Sequence, residues 1–495
     1  MTTEALRLGT KVRSMRRREK LTQSELAMRL EISPSYLNLI EHQQRPLPAH
    51  LLVKLATIFK VDLNAFADDT QSRLAADLQE VFGDALFEEH PVTTTDMREL
   101  ADNTPLARAV LALYQAYRGS IESTRALSSK LYDGRDFLGV DPTHLPSEEV
   151  NDVIQNHLNY FPEIEVAAEG FASAAQVDRK DAFRSLARYL QETQGIQVIL
   201  APASEPNVRT YDPQRRILAI SEMLPAWSRS FHIAHQVGRI VGAPAIESVI
   251  ARVQSNLSTP ESVILLRVAL ANYFAASLLM PYDAFLVAAE ETRYDIELMQ
   301  HRFDVSFEQV CHRFTTLRKQ GASGVSFHFV RVDIAGNISK RFSGTGIRFA
   351  RFSGSCPRWD VHAAFLTPGR IRTQVSKMPD GTGYFCVART VRKNYGGWRT
   401  PDTLMAVGIG CSMKDGQKLV YADGYDLDNT DAAVPIGTTC RLCERLDCEQ
   451  RAFPPLQYGL MVDENVRGAS FYAPAVAARP AVQSTPAVAK KKRKR

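Results

Sequence analysis

Outside its last six positions this 495-residue chain has almost no net charge. Lys490, Lys491, Lys492, Arg493, Lys494 and Arg495 belong to its 60 basic residues, leaving 54 against 55 acidic ones. A basic field over the whole protein is thereby excluded, and any nucleic-acid contact must be local. The opening MTTEALRLGTK lacks the apolar centre of a secretory signal, so the reducing cytoplasm is the expected compartment and disulfides are not expected. Long apolar runs are also scarce. The one exception, Ser262 to Met280, carries Arg267 and Asn272 and stops at Pro281, which reads as a core helix, and no membrane partner is expected. No segment recurs at a fixed period, so a solenoid is excluded.

With 45% hydrophobic and 23% charged residues, the composition is that of soluble globular proteins, and the length exceeds one hydrophobic core. Residues 1–69 read as short, closely spaced helices, and 70–150 as a helical connector (LAADLQEVFGDAL, LARAVLALYQAYRGSI). Over 151–322 helical patterns flank two short β-like runs, IQVILA and RRILAI, and lead to a helical segment from Phe307 to Arg318, which predicts an α+β domain. Over 323–470 Gly-punctuated apolar runs (VSFHFVRV, GIRFARF, GYFCVARTV, LMAVGIG, KLVYADG) predict a β-rich domain. Residues 471–495 are rich in Ala, Pro and Val and end in the basic run. They read as a disordered tail that adds non-specific attraction to DNA.

Thr22-Gln23-Ser24-Glu25 is a capping box, so a helix starts there and runs to about Leu30. Three residues later Ser33 offers an N-cap and Pro34 a first helical position. Two helices joined so tightly make an all-α helix-turn-helix. Leu37 and Ile40 take the core side of the second helix, while Ser35, Asn38 and His42 share a polar face suited to a major groove. Asn pairs bidentately with an adenine edge, and Gln23 sits at a helix N-terminus where a phosphate docks. Lys11, Arg13, Arg16, Arg17, Arg18 and Lys20 add a basic flank. The stretch LTQSELAMRLEISPSYLNLIEHQQRPLP resembles the helix-turn-helix of the xenobiotic-response-element (XRE), or Cro and phage-repressor, family. That resemblance implies base reading by Ser33, Ser35, Tyr36 and Asn38, with Gln23 and Arg45 on phosphates. Many members have a Gly shortly after the residue matching Glu41, where this chain has His42, Gln43 and Gln44.

A zinc peptidase helix needs two His at i and i+4 and an intervening Glu as general base. Here SFHIAHQVGRIV keeps His235, but Gln236 stands where the base belongs and Arg239 where the second ligand belongs. Gln cannot take a proton from water, and a permanent cation repels a metal. Downstream, ALANYFAASLLMP resembles the ImmA/IrrE-type metallopeptidase helix that brings a Glu ligand just ahead of Ala271, yet this chain reads Arg267, Val268, Ala269, Leu270. The expectation is the peptidase fold without catalytic residues. The cleft becomes a ligand-sensing pocket, with His235 and Arg239 as candidates for holding an anionic effector.

Seven cysteines include Cys440, Cys443 and Cys448 in CRLCERLDC, a spacing that in a reducing compartment reads as a metal site. Cys411 is the candidate fourth ligand and Cys356 the alternative, and thiolates leave zinc and a [4Fe–4S] cluster both open. The order of segments up to about residue 470, including RVDIAGNISKRFSGTGIRFARFSGSCPRW and CRLCERLDCEQRAFPP, resembles the bacterial short-chain fatty acyl transcriptional regulators of the RamB and PrpR type. The resemblance implies a regulator of acetate, propionate, glyoxylate or methylcitrate genes, with a short acyl-CoA or related small molecule as effector. It further implies an iron–sulfur cluster on the C-terminal cysteines. The expected protein is a non-enzymatic transcription factor, cytoplasmic and nucleoid-associated, that binds double-stranded operator DNA as a homodimer or higher oligomer. A redox or metal sensor signalling through the cysteines is the first alternative, and a regulatory zinc metalloprotease the second.

Overall fold

The computed structural model describes residues 12–13, 15–16, 19, 21–41, 45, 47–59, 69–87, 92–133, 146–203, 207–350, 355–393, 400–401 and 403–454. The basic tail, His42, and Lys11, Arg17, Arg18 and Lys20 lie outside the described residues. The chain forms two compact units, residues 1–78 with 92–109 and residues 79–91 with 110–495.

In the first unit the Glu25 amide donates to the Thr22 hydroxyl at 3.2 Å, and the Thr22 amide donates back to the Glu25 carboxylate at 2.6 Å. This closed capping box opens α1 (Gln23–Leu30). The helix ends on Glu31, whose left-handed φ of 60° turns the chain toward α2 (Pro34–Glu41). The Tyr36 amide donates to the Ser33 hydroxyl at 3.1 Å, so both helix starts fall where the sequence puts them. Leu26, Ala27, Leu30, Leu37 and Ile40 pack with Leu51, Leu55 and Phe59 of α3 (Ala49–Phe59) in a small separate core. Three more helices, α4 (Asp69–Phe82), α5 (Thr94–Asp102) and α6 (Thr104–Asp133), occupy the stretch read as connector.

The second unit continues with α7 (Pro146–Asn156), which runs across residue 150 and packs with the domain that follows, and then with α8 (Pro162–Ala174) and α9 (Ala182–Gln194). The two apolar runs become β1 (Gln197–Ala201) and β3 (Ile217–Ser221), paired in parallel. Between them in sequence comes β2 (Arg209–Asp212), which pairs antiparallel on the far side of β3 and is not foreseen, because RTYD has no apolar alternation. Next come α10 (Ala226–Ile240), α11 (Ala243–Val253) and α12 (Pro260–Leu279). Among the described residues α12 alone has the length and apolarity of a membrane span, but most of it is buried against α7, α8, α10 and α11. Gly238 permits the α10–α12 approach, since a Cβ there would lie 2.9 Å from Phe274 Cδ1. Three shorter helices follow, α13 (Tyr282–Glu291), α14 (Ile296–Phe303) and α15 (Phe307–Phe314). Arg313 of α15 is fully buried. It grips Glu165 of α8 through two bonds of 2.6 and 2.9 Å, and Tyr273 of α12 donates to the same carboxylate at 2.7 Å.

The C-terminal part of this unit is a six-stranded sheet in the order β5-β4-β8-β7-β6-β9, antiparallel except for the parallel β6–β9 pair. Its strands are β4 (His328–Val332), β5 (Ile338–Ser343), β6 (Arg372–Lys377), β7 (Gly383–Arg392), β8 (Leu404–Ser412) and β9 (Val434–Pro435). Three of the apolar runs are strands as expected. KLVYADG is not, because Val420–Ala422 coils into a 3₁₀ turn whose Val420 amide donates to the Arg293 carbonyl at 2.8 Å. GIRFARF is not a strand over its described residues 346–350 either. Strand residues alternate between two faces. Phe329, Phe385, Val407 and Cys411 join the helical core, while Val330, Ala388 and Ala406 meet Trp359 and Val361 of the segment around α16 (Asp360–Ala363).

Candidate functional site

On the first unit, Ser33, Ser35, Asn38 and Arg45 are exposed, and Tyr36 is half-buried with the Arg45 guanidinium 5.9 Å from its ring centre. Gln23 at the start of α1 reaches across to α2, donating to Asn38 Oδ1 at 3.2 Å and to Glu41 Oε2 at 2.9 Å. Glu41, 1% exposed, also receives Arg16 Nε at 2.6 Å and Nη2 at 2.9 Å. Burial opposes ionisation of Glu41, yet the hydrogen bonds from Arg16 and Gln23 and the Arg16 charge hold its carboxyl below the usual range. Arg16 is therefore a half-buried structural partner of Glu41 and not a member of the basic flank. Glu41 was legible in principle: it follows Leu37 by four residues and so lies on the apolar side of α2, where a charge needs a partner.

On the second unit, α10 carries His232, His235, Gln236 and Arg239. Arg209 of β2 covers them: its guanidinium contacts His235 Nδ1 and donates to the His232 carbonyl at 3.3 Å. His235 also bonds the Val268 carbonyl of α12, on the stretch where the resemblance leads one to expect an acidic ligand. Burial first, then the Arg209 charge, lowers His232 to about 4 and His235 to about 3, with Arg239 adding to the latter. Both imidazoles are neutral at pH 7. Arg209 is itself lowered to about 10, by burial and then by Arg239. Arg267 turns away to pair with Glu247 at 2.5 Å. Arg209 is half-buried and Arg239 exposed; neither bonds a carboxylate among the described residues, though the Arg239 charge reaches Glu247. That arrangement repels a metal and attracts an anion. Arg209 carried no sequence signal, because it lies on the polar strand that the pattern missed.

The cysteines fall on the sheet's other margin. Arg451, 5% exposed, draws residues 440–453 together by donating to the carbonyls of Cys440 at 2.6 Å, Cys443 at 2.7 Å and Phe453 at 3.2 Å. The Cys356 amide donates to the Thr438 carbonyl at 3.0 Å. Burial raises the Cys356 thiol, amides of Gly437 and Arg358 bond to it, and it feels the charges of Cys440 and Cys443. Cys411 instead lies in the helical core, paired across the ladder with Phe385 on the face opposite Cys386. Among the described residues no three His, Cys, Asp or Glu side chains converge as a metal shell.

Three segments match known families: a helix-turn-helix domain over residues 9–71, an IrrE N-terminal-like domain over 191–315, and the C-terminal domain of short-chain fatty acyl coenzyme A regulators over 316–472. The chain is 38% identical over 459 residues to the HTH-type transcriptional regulator PrpR of Mycobacterium tuberculosis, covering 92% of this chain and 93% of that one. The chain belongs to the short-chain fatty acyl coenzyme A regulators. The regulator RamB of the same organism is 37% identical over 462 residues, covering 92% and 96% of the two chains. The propionyl-CoA carboxylase regulator of Cereibacter sphaeroides is 39% identical over 468 residues, covering 94% and 98%. A solved Mycobacterium tuberculosis transcriptional regulator superposes with a TM-score of 0.63 at 41% identity, over 66% of this chain and 99% of that one. As a member of this family the protein is a DNA-binding transcriptional regulator and not an enzyme, and its peptidase-like domain is a retained fold without peptidase chemistry.

Proposed function

We propose that this regulator controls genes of short-chain acyl-CoA metabolism and that an acyl-CoA, bound in the peptidase-like cleft, sets its hold on the operator. The observation that carries the effector reading is Arg209, half-buried and bonded to no carboxylate among the described residues, which with the exposed Arg239 sets two guanidiniums beside two neutral imidazoles. Guanidiniums without a bonded carboxylate favour an anion, and the phosphates of a coenzyme A supply that charge. His235 then acts as a neutral spacer that orients Arg209. Ser33, Ser35, Tyr36 and Asn38 read bases in a major groove, Gln23 and Arg45 hold phosphates, and a homodimer matches a two-fold operator. The protein works in the cytoplasm, on the nucleoid.

Fluorescence anisotropy on promoters of acyl-CoA metabolic genes, with and without acetyl-CoA and propionyl-CoA, tests this. One acyl-CoA should shift operator affinity, and Arg239→Ala should weaken that effector by about tenfold while leaving effector-free DNA binding unchanged. A tight complex indifferent to every acyl-CoA, or an Arg239→Ala protein that responds normally, rejects the effector site and leaves the DNA-binding role standing.

Cys440, Cys443 and Cys448, with Cys356 as the fourth donor, would hold an iron–sulfur cluster or zinc. The four thiols have the soft-donor chemistry of either group, and the Ala452 amide already donates to Cys440 Sγ at 3.4 Å, but no three of them converge in this structure, so binding has to gather them. The group would pin residues 440–453 to the sheet. Anaerobically purified protein should be brown with absorption near about 400 nm. Colourless, zinc-loaded protein would exclude the cluster, and protein with neither would exclude the site.

A further inference from the structure

The sheet face opposite the helical core carries a cavity that neither DNA binding nor the peptidase-like cleft uses. Val330 of β4, Ala388 of β7 and Gly408 of β8 form its floor, and Phe349, Trp359 and Val361 close over it. Four polar side chains reach it, and three of them are satisfied. His328 bonds through Nδ1 to the Thr345 hydroxyl at 2.9 Å and lies 3.8 Å from Cys386 Sγ through Nε2. Ser376 accepts from Gln374 at 2.8 Å and bonds Cys386. The fourth is Asp360, whose side chain is 3% exposed. Its Oδ1 receives Arg372 Nε at 3.2 Å, whereas its Oδ2 is buried with no partner.

A buried carboxylate oxygen without a donor is left with an unmet desolvation cost, so a pocket built around one calls for a donor from outside the chain. The chemistry of that donor follows from the walls. Arg372 already balances the Asp360 charge, so a second full cation would be buried without compensation. His328 is held neutral by burial, and the Cys386 thiol, pushed up to about 12 by burial and the Asp360 charge, stays protonated. An anion finds no cation here and meets Asp360 head-on. We infer that this cavity is a second small-molecule site, for a neutral, largely apolar molecule or group that presents one N–H or O–H to Asp360 Oδ2. It is independent of the coenzyme A phosphates and lies in a different part of the fold from Arg209 and Arg239.

Pyrrole and furan have nearly the same shape, but only pyrrole carries a donor, which isolates the bond in question. Saturation-transfer NMR on the full chain should show pyrrole binding at least about tenfold more tightly than furan. In Asp360→Asn, Arg372 keeps the amide oxygen on its own side, so an NH₂ replaces Oδ2 and the preference for pyrrole should vanish. Gly408→Ala leaves Asp360 intact but adds a methyl 3.2 Å from Val330 Cγ1 and 3.4 Å from Val361 Cβ. It should weaken both probes together, and it serves as the deciding variant if Asp360→Asn fails to fold. Equal binding of the two probes, no binding of either to the wild type, or a pyrrole preference that survives Asp360→Asn would each overturn the site and leave the oxygen to a buried water.

Discussion

Arg313→Ala should lower the stability of the second unit by about 3–5 kcal/mol, read as a fall in its urea midpoint at neutral pH. The side chain is wholly buried and binds Glu165 at two oxygens, the Met280 carbonyl at 2.9 Å and the Thr316 hydroxyl at 3.0 Å. Tyr273 and Tyr282 present their rings to it at 6.0 and 5.7 Å. Removing it strands the Glu165 carboxylate between α8 and α12, and that uncompensated charge supplies most of the loss. The double variant Arg313→Met with Glu165→Leu should recover most of the stability, because an apolar pair of similar volume carries no desolvation penalty. Burial alone would raise the Glu165 carboxyl, but the Arg313 charge and hydrogen bonds win and hold it below the usual range. Its contribution is therefore complete at neutral pH and is lost as pH falls below the ordinary carboxylate range, so wild type and Arg313→Ala should converge in acid. A loss under about 1 kcal/mol at pH 7 would show that the cluster is solvated and not structural.

Arg16→Ala should weaken operator binding by more than tenfold through the fold of the reading module, without any DNA contact of its own. The substitution leaves Glu41 buried with the Gln23 amide as its side-chain donor. Gln23 is shared with Asn38, so the loss passes to the base-reading face. The structural cost should reach about 3 kcal/mol, the lower end for a broken buried pair, because the Arg16 side chain is 12% exposed. Asn38→Ala provides the contrast. It should cost roughly 1–3 kcal/mol on the cognate site alone, with non-specific affinity and helicity preserved. If Arg16→Ala keeps its helicity and instead weakens all DNAs equally while lowering the salt slope by about one, Arg16 is a phosphate contact after all.

The contrast between Arg16 and Ser33 shows what the sequence makes legible. Ser33, Pro34 and the Thr22–Glu25 box act over three residues, so their residue types announce the helix starts directly. Arg16 meets Glu41 25 positions later, and a local pattern can read it only as one more surface cation. The same divide runs through the sheets. The apolar runs of β4, β7 and β8 declare themselves, whereas β5 (ISKRFS) and β6 (RTQVSK) are mostly polar and become strands by pairing with neighbours already in place. KLVYADG has strand composition, but Tyr421 donates to no ladder. Its hydroxyl instead accepts the Ile296 amide at 2.8 Å, tying the segment to α14. Loss of the peptidase chemistry was readable from Gln236 and Arg239, because a motif names its positions. Arg209, which fills the vacated centre, belongs to no motif.

The burial of α12 also bears on how the chain is made. Synthesis is vectorial, and a nascent segment this apolar invites membrane insertion or aggregation if it emerges alone. Its main covers, α7, α8, α10 and α11, all precede it in the sequence. When α12 leaves the ribosome its partners are already in solution, waiting to receive it. Arg313, which ties α8 and α12 together at Glu165, Ser277 and Met280, is translated only afterwards. The order of the chain thus makes the buried ion pair a late fastening on a helix that is already sheltered.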